Sequence, residues 1–194
     1  LPEISLYLLN ASYPRGPLAN TEMLAIMDTP PYWAFCWASG QVLAEYIIKH
    51  PYEFKDQTLL DIGCGSGVAG IAAKIAGAKK VISCDTDPMA LNATKANAKL
   101  NKVELEYLND IACLEDEVDL IIAADILYDR DNLSLLQTLP KLGREVLLAD
   151  SRIKNLERQG YTLIDFGQIT TLPDLNEQAD FNEVKLYKQN YKQL

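Results

Sequence analysis

The chain has 194 residues, 48 % of them hydrophobic, and a formal net charge of −9, which suits one domain of ~100–200 residues with an apolar core. The acidic balance argues against a nucleic-acid partner, because such a surface repels phosphate backbones. No apolar stretch approaches the ~20 residues that span a bilayer, and the N-terminus lacks a secretory signal pattern, so we expect a cytoplasmic protein that does not bind membranes.

An aromatic segment precedes the first predicted helix of the chain. The helix begins with Ser39 as its N-cap and continues to about Lys49. Two tryptophans lie just before it, Trp33 and Trp37. They suit either the core or an aromatic face beside a cation or adenine, a contact that stabilises by ~0.5–2 kcal/mol. We expect residues 1–50 to form an N-terminal helical or lid segment, followed by an α/β core over residues 51–194.

The next predicted element is a short apolar strand that ends in a glycine-rich turn. The stretch reads Leu59-Leu60-Asp61-Ile62-Gly63-Cys64-Gly65-Ser66-Gly67, and a predicted helix follows over Val68–Ala78. A strand that leads through glycines into a helix N-terminus is expected to present bare backbone N–H groups to a ligand. We expect a Cβ atom at any of these three turn glycines to hold that ligand away.

The same turn fits more than one ligand. Gly65-x-Gly67-x-x-Gly70 also satisfies the dinucleotide pattern G-x-G-x-x-G, and a purely structural turn would produce either spacing by chance. These residues alone leave three interpretations open: a dinucleotide, a different ligand, or a turn that binds no ligand. The rest of the chain must decide between them.

Strands and helices alternate through the remainder of the sequence. Further strands are predicted at Lys80–Cys84, Val103–Leu108, Val118–Ala124, Glu145–Ala149, Tyr161–Phe166 and Glu183–Tyr187. Helices are predicted from Pro88, capped by Asp87, to about Asn101, from Asn132 to Leu142 with Gly143 at the end, and from Arg152 to Gln159 with Gly160 at the end. This alternation predicts an α/β fold with a mostly parallel sheet, helices on both faces and an antiparallel C-terminal edge hairpin.

Four predicted parallel strands are followed by, or end in, an acidic residue: Asp61, Asp85, Asp110 and Asp125. Ligands of open α/β sheets lie beyond the carboxyl ends of the strands. Carboxylates there would repel a pyrophosphate but suit S-adenosylmethionine (SAM), which carries a sulfonium, an ammonium, ribose hydroxyls and an adenine amine. The competing interpretation is that Asp simply begins loops well.

The four cysteines of the chain, Cys36, Cys64, Cys84 and Cys113, show no C-x-x-C spacing. We expect reduced, buried thiols. The only histidine, His50, has no ligand cluster around it, so no metal site is expected.

The glycine turn resembles motif I of the class I SAM methyltransferases, a family with a seven-stranded sheet. The resemblance implies that Gly63, Gly65 and Gly67 face the methionyl and ribose parts of the cofactor. It also implies that Asp61 orients this turn near the cofactor's amino group and that Asp85 accepts the ribose hydroxyls.

The resemblance also assigns the adenine end of the cofactor. It implies that Asp110 meets the adenine amine while Ile111 packs on the ring. Trp37 and Ala124 complete the expected cofactor-binding set.

Two further motifs make the resemblance more specific within the class I methyltransferases. Trp37-Ala38-Ser39-Gly40-Gln41-Val42-Leu43-Ala44 and Asp125-Ile126-Leu127-Tyr128 are similar to elements of the seven-β-strand protein lysine methyltransferases. Together with Asp85-Thr86-Asp87-Pro88, they resemble the electron transfer flavoprotein β-subunit lysine methyltransferase family. The resemblance implies methylation of a protein lysine, with the electron transfer flavoprotein β-subunit as the suggested substrate.

The expected mechanism is in-line transfer of the methyl group to a lysine ε-amine. A lysine with a pKa of ~10.4 is about 3.4 units from neutrality at pH 7, which costs roughly 4.6 kcal/mol. A nearby carboxylate would worsen that deficit. Asp125 is therefore predicted to position the amine as a catalytic hydrogen-bond acceptor, and Tyr128 to line the lysine channel. The alternative is a purely structural role, in which Asp125 caps a helix.

Other functions stay open at this point. They are a ribosomal protein L11-type or small-molecule N-methyltransferase, an NAD-dependent oxidoreductase, and a SAM-binding protein without turnover. Thr29-Pro30-Pro31-Tyr32 also approaches the Asp/Asn-Pro-Pro-Tyr element of nucleic-acid methyltransferases, but Thr29 stands where the acid or amide is needed.

Overall fold

The computed structural model describes residues 3–10, 12–13, 16–17, 19–153 and 155–190. Its strands are β1 Thr58–Ile62, β2 Lys80–Cys84, β3 Glu106–Leu108, β4 Val118–Ala124, β5 Gly143–Asp150, β6 Thr162–Gln168 and β7 Glu183–Asn190. Its α-helices are α1 Asn20–Asp28, α2 Ala38–Lys49, α3 Pro51–Phe54, α4 Val68–Ile75, α5 Pro88–Leu100 and α6 Leu135–Thr138. Six 3₁₀ turns complete the described elements: Tyr32–Ala34, Ile111–Cys113, Arg130–Ser134, Leu139–Lys141, Glu157–Gln159 and Ala179–Asn182.

The seven strands form one sheet in the order β3-β2-β1-β4-β5-β7-β6. Strands β1 to β5 run parallel, whereas β7 pairs antiparallel with both β5 and β6. The predicted mostly parallel sheet with an antiparallel C-terminal edge is therefore confirmed. The direction of winding reverses between β1 and β4, and a reversal of this kind opens a crevice at the carboxyl ends of the strands.

The central strand β4 is buried on both faces of the sheet. Ile121, Ile122 and Ala123 are fully inaccessible to solvent, as expected for a parallel strand that helices cover on each side. One apolar cluster lies between the sheet and helices α2 and α4, where Leu43 and Ile47 pack. A second cluster lies on the opposite face and contains residues of β4, β5 and the segment around α6.

Helix α2 belongs to this core, although it lies within the predicted N-terminal lid segment. Its residues Leu43, Ala44 and Ile47 have no exposed surface. The helix begins at Ala38, with Trp37 in the N-cap position, so the predicted N-cap role of Ser39 is wrong. Ser39 lies inside the first turn instead, and its hydroxyl is used elsewhere. The assignment of residues 1–50 as a lid stays a prediction.

The helix predicted over Asn132–Leu142 is wrong in type and extent. The chain forms the 3₁₀ turn Arg130–Ser134, one turn of α-helix in α6, and a second 3₁₀ turn over Leu139–Lys141. Pro140 explains the interruption, because proline has no N–H and disrupts a helix interior. Gly143 opens β5 and does not end a helix.

The helix predicted over Arg152–Gln159 is also wrong. Only Glu157–Gln159 is helical, as a 3₁₀ turn that ends at Gly160 in the left-handed conformation (φ 85°). Asp150 explains the loss, because its Oδ1 atom accepts the backbone N–H groups of Arg152 and Ile153 at 2.8 and 2.7 Å. These bonds turn the chain after β5, and residue 154 lies outside the described residues.

Other predicted bounds are close to the observed ones. Strands β2 and β4 match their predictions, and the predicted capping of α5 is confirmed, since the carboxylate of Asp87 accepts the N–H of Met89 at 2.8 Å. Helix α4 ends at Ile75, three residues earlier than predicted. Strand β3 starts at Glu106 and not at Val103.

Three of the four cysteines are buried, as predicted, and Cys113 is exposed, against the prediction. None of the helices that the structure describes is both long and apolar enough to cross a membrane.

Candidate functional site

A cavity of about 580 Å³ opens at the carboxyl ends of the parallel strands. Residues at or just beyond the ends of β1 to β5 contribute to its wall, among them Gly63, Asp85, Asp110, Asp125 and Ser151. The segment that follows α1 and the connection between β6 and β7 complete the wall. The cavity is therefore at the edge of the sheet where the four strand-end acids predicted a ligand site.

The glycine turn between β1 and α4 adopts a left-handed backbone. The φ angles of Gly63, Gly65 and Gly67 are 65°, 50° and 80°. Side-chain contacts also restrict two of these positions, since a Cβ at Gly63 would lie 2.8 Å from Ile126 and a Cβ at Gly67 would lie 2.7 Å from Thr94. Protein atoms therefore already exclude a Cβ at both positions, and the expectation that a Cβ would also hold the ligand away stays a prediction.

Four backbone N–H groups of the turn have partners within the protein, which corrects the prediction of bare groups for these four. Gly63 and Cys64 both donate to the carbonyl of Cys84, at 2.9 and 3.1 Å, and Gly67 donates to the carbonyl of Cys64 at 2.7 Å. Gly65 donates to the Asp85 carboxylate at 3.0 Å. A dinucleotide pyrophosphate needs such donors free, so this turn favours a ligand without phosphate.

Replacing Gly67 by alanine is expected to destabilise the fold. The left-handed backbone costs a residue with a Cβ ~1–2 kcal/mol, and the clash with Thr94 adds about 1–3 kcal/mol of overpacking. Gly65 is the control, because a Cβ there meets only the Gly63 carbonyl at 3.9 Å. Thermal unfolding should therefore show a larger drop in Tm for Gly67→Ala than for Gly65→Ala. Equal drops would show that the backbone angle alone matters.

Asp85 lies at the cavity wall directly after β2 and organises the surrounding backbone. Its Oδ2 atom accepts the N–H of Gly65 and its Oδ1 atom accepts the N–H of Asp87, both at 3.0 Å. Burial raises the pKa of the Asp85 carboxyl above its ordinary value, while these backbone donors lower it. The N–H of Thr86 also lowers this pKa. A carboxylate has about four lone-pair sites, so Asp85 retains capacity for a hydroxyl group of a ligand.

Asp110 and Ile111 line the same part of the cavity after β3. The Oδ1 atom of Asp110 accepts the N–H of Ala112 at 2.8 Å and caps the 3₁₀ turn Ile111–Cys113. The cap leaves Oδ2 for a ligand, and the half-buried Ile111 side chain offers an apolar surface beside it. This pair suits the amine and the face of a planar base.

Asp61 does not line the cavity, and neither does Gly67. The Asp61 side chain is 2 % exposed, and its Oδ2 atom accepts the N–H of Gly70 at 3.0 Å. A Cβ at Gly70 would lie 2.8 Å from that oxygen, so the glycine allows α4 to approach β1 closely. Asp61 thus fixes the start of α4 against the strand that precedes the turn. Its predicted place near the amino group of a cofactor stays a prediction.

The stability of the fold is expected to depend on the protonation of Asp61. Burial raises the pKa of its carboxyl to about 7, although the N–H of Gly70 lowers it. The unfolded chain loses this proton near a pKa of ~3.9, whereas the folded chain retains it to about pH 7. The free energy of unfolding should therefore fall as the pH rises between these two values.

Chemical denaturation of the wild type and of Asp61→Asn across that window tests this expectation. Asp150, whose pKa burial raises to about 6, contributes equally to both proteins and cancels in the comparison. The difference in stability should change in favour of the asparagine variant as the pH rises. A difference that does not vary with pH would contradict the assignment.

Asp125 follows β4 in a left-handed backbone conformation, with φ at 51°. Its Oδ1 atom accepts hydrogen bonds from the hydroxyls of Ser39 and Ser151, at 2.7 and 2.9 Å, and from the N–H of Ser151 at 3.2 Å. Its own N–H donates to the carbonyl of Ala149 at 3.0 Å. Asp125 lines the cavity, so a fixed carboxylate faces this space. Among the described residues, its carboxylate accepts no backbone N–H of a helix, which argues against the helix-capping alternative.

Aromatic side chains form the wall beside Asp125. The rings of Tyr128 and Tyr32 have centroids 5.2 Å apart, and those of Tyr32 and Trp37 are 5.8 Å apart. The indole N–H of Trp37 donates to the carbonyl of Tyr32 at 2.8 Å, which fixes the two residues relative to each other. Tyr128 is 51 % exposed, so this aromatic wall borders the opening of the cavity.

Several residues of the cavity wall carried no recognisable sequence signal. Thr171 and Glu177 lie on the connection between β6 and β7, and the hydroxyl of Thr171 donates to Glu177 at 2.7 Å. Arg152 lies over the ring of Phe181 at 4.6 Å. Thr29 and Pro30, from the near match to a nucleic-acid methyltransferase motif, also line the cavity. No spacing pattern marks the residues of the last loop or Arg152, because their placement depends on loops that tertiary contacts fix.

The cavity therefore has two parts. The part near β1, β2 and β3 combines the glycine turn with Asp85, Asp110 and Ile111. The part near β4 and β5 combines Asp125 with tyrosines and the last loop. The first part is complementary to a nucleoside with a positive charge, and the second to a narrow group that can donate a hydrogen bond.

Comparison with known proteins shows relatives over most of the chain. Residues 45–139 match the family model for ribosomal protein L11 methyltransferase. The chain is 40 % identical over 157 residues to the electron transfer flavoprotein β-subunit lysine methyltransferase of Danio rerio, which covers 77 % of the chain and 60 % of that protein. The human protein of that name is 36 % identical over 133 residues, 67 % of the chain and 50 % of the relative. The chain thus spans less than two thirds of these curated relatives.

Solved structures share the fold. A ribosomal protein L11 methylase from Lactobacillus delbrueckii superposes with a TM-score of 0.59 at 21 % identity, over 77 % of each chain. The magnesium protoporphyrin IX methyltransferase of Synechocystis PCC 6803, solved with bound SAM, gives a TM-score of 0.59 at 16 % identity, over 91 % of this chain and 86 % of the other. Both similarities concern the fold alone.

Proposed function

Because this chain has the class I methyltransferase fold and is a homologue of the electron transfer flavoprotein β-subunit lysine methyltransferases, we propose that it transfers a methyl group from SAM to a lysine side chain of a protein. The observation that supports this most is the fixed carboxylate of Asp125 beside the Tyr32–Tyr128 wall, in a cavity whose other part suits a cationic nucleoside. We propose the electron transfer flavoprotein β-subunit as the acceptor, by analogy with the names of these relatives.

The cofactor part of the cavity would hold SAM through its strand-end acids. In the proposed arrangement, Asp85 accepts the two ribose hydroxyls, Asp110 accepts the adenine amine, and Ile111 packs on the adenine ring. Gly63 and Gly65 adjoin the methionyl and ribose parts, with Trp37 and Ala124 completing the wall. The occupied N–H groups of the glycine turn support this choice, since SAM has no phosphate that would need them.

The acceptor part would hold the lysine near the methyl group. The incoming side chain is an ammonium, and both burial and the adjacent sulfonium lower the pKa of such a group, so that its proton can leave to water. Asp125 would then accept an N–H hydrogen bond from the neutral amine and point the nitrogen lone pair at the methyl carbon. Tyr128 and Tyr32 would enclose the aliphatic stem of the lysine.

The transfer itself requires no further group from the protein. The lone pair of the ε-nitrogen forms the new N–C bond as the C–S bond breaks and its electron pair returns to sulfur. The products are a methylated ammonium and S-adenosylhomocysteine. What the chain supplies is alignment and the exclusion of water, both of which lower the barrier.

The second candidate is a methyltransferase of the ribosomal protein L11 type. The family model over residues 45–139 favours it, but that segment contains the cofactor part of the cavity and only a portion of the acceptor part. A small-molecule N-methyltransferase is a further possibility within this class. The internal hydrogen bonds of the glycine turn argue against an NAD-dependent oxidoreductase.

Purified protein incubated with methyl-labelled SAM and a cell lysate tests the proposal. We expect label on one predominant protein band, and mass spectrometry should place it on lysine. Purified electron transfer flavoprotein β-subunit and ribosomal protein L11 serve as paired acceptors. Label on L11 alone would favour the second candidate, and binding of NADH without binding of SAM would overturn the proposal. We also propose a cytoplasmic location with no nucleic-acid or membrane partner, as the acidic charge suggests.

A further inference from the structure

We propose that Ser39 and Ser151 are positioning residues that hold Asp125 in the one orientation that serves methyl transfer. The inference rests on the proposed function, since it takes Asp125 as the group that receives the acceptor amine. It goes further by naming residues that reach Asp125 from outside the β4 end and by specifying which carboxylate oxygen acts.

Two serines from separate elements converge on one oxygen atom. Ser39 lies in the first turn of α2 and is 86 positions from Asp125 in the sequence, and Ser151 follows β5 and is 26 positions away. Their hydroxyls reach Oδ1 at 2.7 and 2.9 Å, and the Ser151 N–H adds a third donor at 3.2 Å. Ser39 is completely buried. Because α2 belongs to the core, the first of these hydroxyls is fixed in place by the fold.

The three donors leave the second oxygen for the acceptor. A carboxylate oxygen has two lone pairs, so Oδ1 has no capacity for a further strong hydrogen bond. Within the described part of the chain, no group donates to Oδ2. Oδ2 is therefore the atom that remains to accept an amine N–H.

The backbone of Asp125 makes such support necessary. A non-glycine residue in the left-handed region is held there by its surroundings, and the N–H bond to Ala149 fixes only the main chain. Without the serine hydroxyls, the side chain could rotate about χ1 and χ2 and lose alignment with the methyl group. Reacting groups must be held within ~0.5 Å and about 10–20° for efficient catalysis.

Kinetics of serine variants test the inference. We expect Ser39→Ala and Ser151→Ala each to lower kcat by about tenfold, because alignment is lost, while the Kd for SAM and the Tm remain near wild-type values. Ser151 is partly exposed, so Ser151→Thr has room for its methyl group and should restore kcat by restoring the hydroxyl. Ser83→Ala is the matched control, since this buried serine hydroxyl has no partner among the described residues, and its kcat should not change.

Each outcome decides the matter. An unchanged kcat in both alanine variants overturns the inference, and so does a fall in kcat accompanied by equal losses of SAM affinity and Tm, which would indicate a merely structural role. If wild-type protein transfers no methyl group at all, the proposed function fails and the inference fails with it. If the wild type is active, the crystal structure of the Ser39→Ala/Ser151→Ala protein is a second test of the inference alone. A rotated Asp125 carboxylate would support it, and an unmoved carboxylate would overturn it.

Discussion

Asp125→Ala is expected to reduce methyl transfer by ~10³-fold or more, an effect of the size that precise alignment provides, and to leave the affinity for SAM nearly unchanged. The residue lies in the acceptor part of the cavity, and none of its hydrogen bonds involves the glycine turn or Asp85. Removing it deletes the proposed acceptor for the amine N–H. It also leaves the buried Ser39 hydroxyl without a partner, which costs about 1–3 kcal/mol of stability.

Asp125→Asn separates these two consequences. The amide oxygen still accepts the serine hydroxyls, so the Tm should recover, but an NH₂ group now faces the amine and cannot accept its N–H hydrogen bond. Transfer should therefore stay low in the asparagine variant. The measurements are single-turnover transfer from labelled SAM, calorimetric SAM binding and thermal unfolding. Near-normal transfer by Asp125→Ala would refute the assignment.

Asp85→Ala is expected to weaken SAM binding by about 100-fold, since hydrogen bonds to a charged group contribute ~1.5–3 kcal/mol each. The change removes the proposed acceptor of the ribose hydroxyls. It also releases the N–H of Gly65, which this carboxylate holds at 3.0 Å, and so loosens the turn beside the cofactor. Calorimetric titration with SAM measures the loss.

Asp87→Ala is the matched control, because this neighbouring acid also lines the cavity but is explained by its cap on α5. We expect it to lose about 1 kcal/mol of stability with little change in SAM affinity. If Asp87→Ala weakens SAM binding more than Asp85→Ala does, the ribose role passes to Asp87.

The fold was predictable from the sequence wherever local pattern and tertiary position agree. Strand β4 is an unbroken apolar run because both of its faces are covered. Such a run can be recognised from its own residues, without knowledge of the strands beside it. Asp87 and Pro88 similarly predict the start of α5 from local capping alone. The prediction of one helix around α6 failed because Pro140 divides that segment. This proline was visible in the sequence, but the apolar periodicity outweighed it in the prediction.

The site was less predictable, since its chemistry depends on contacts between distant segments. Asp61 alternates with Leu60 and Ile62 along β1, so its side chain lies on the face that packs against α4, where it meets Gly70. This alternation of side chains along β1 could have shown from the sequence that Asp61 does not line the cavity. The pairing of Asp85 with the Gly65 N–H spans 20 positions and has no local signature.

The cavity wall divides along the chain as well as in space. Apart from Trp37 and Ala124, the proposed cofactor residues lie in one stretch between Gly63 and Ile111, whereas the acceptor residues come from the segments on either side of it, such as Tyr32 and Glu177. Evolution can thus vary the flanks, and with them the choice of partner, while most of the methyl-donor chamber is inherited unchanged. Grafting both flanks from a relative with another target would be a practical route to a redirected catalyst.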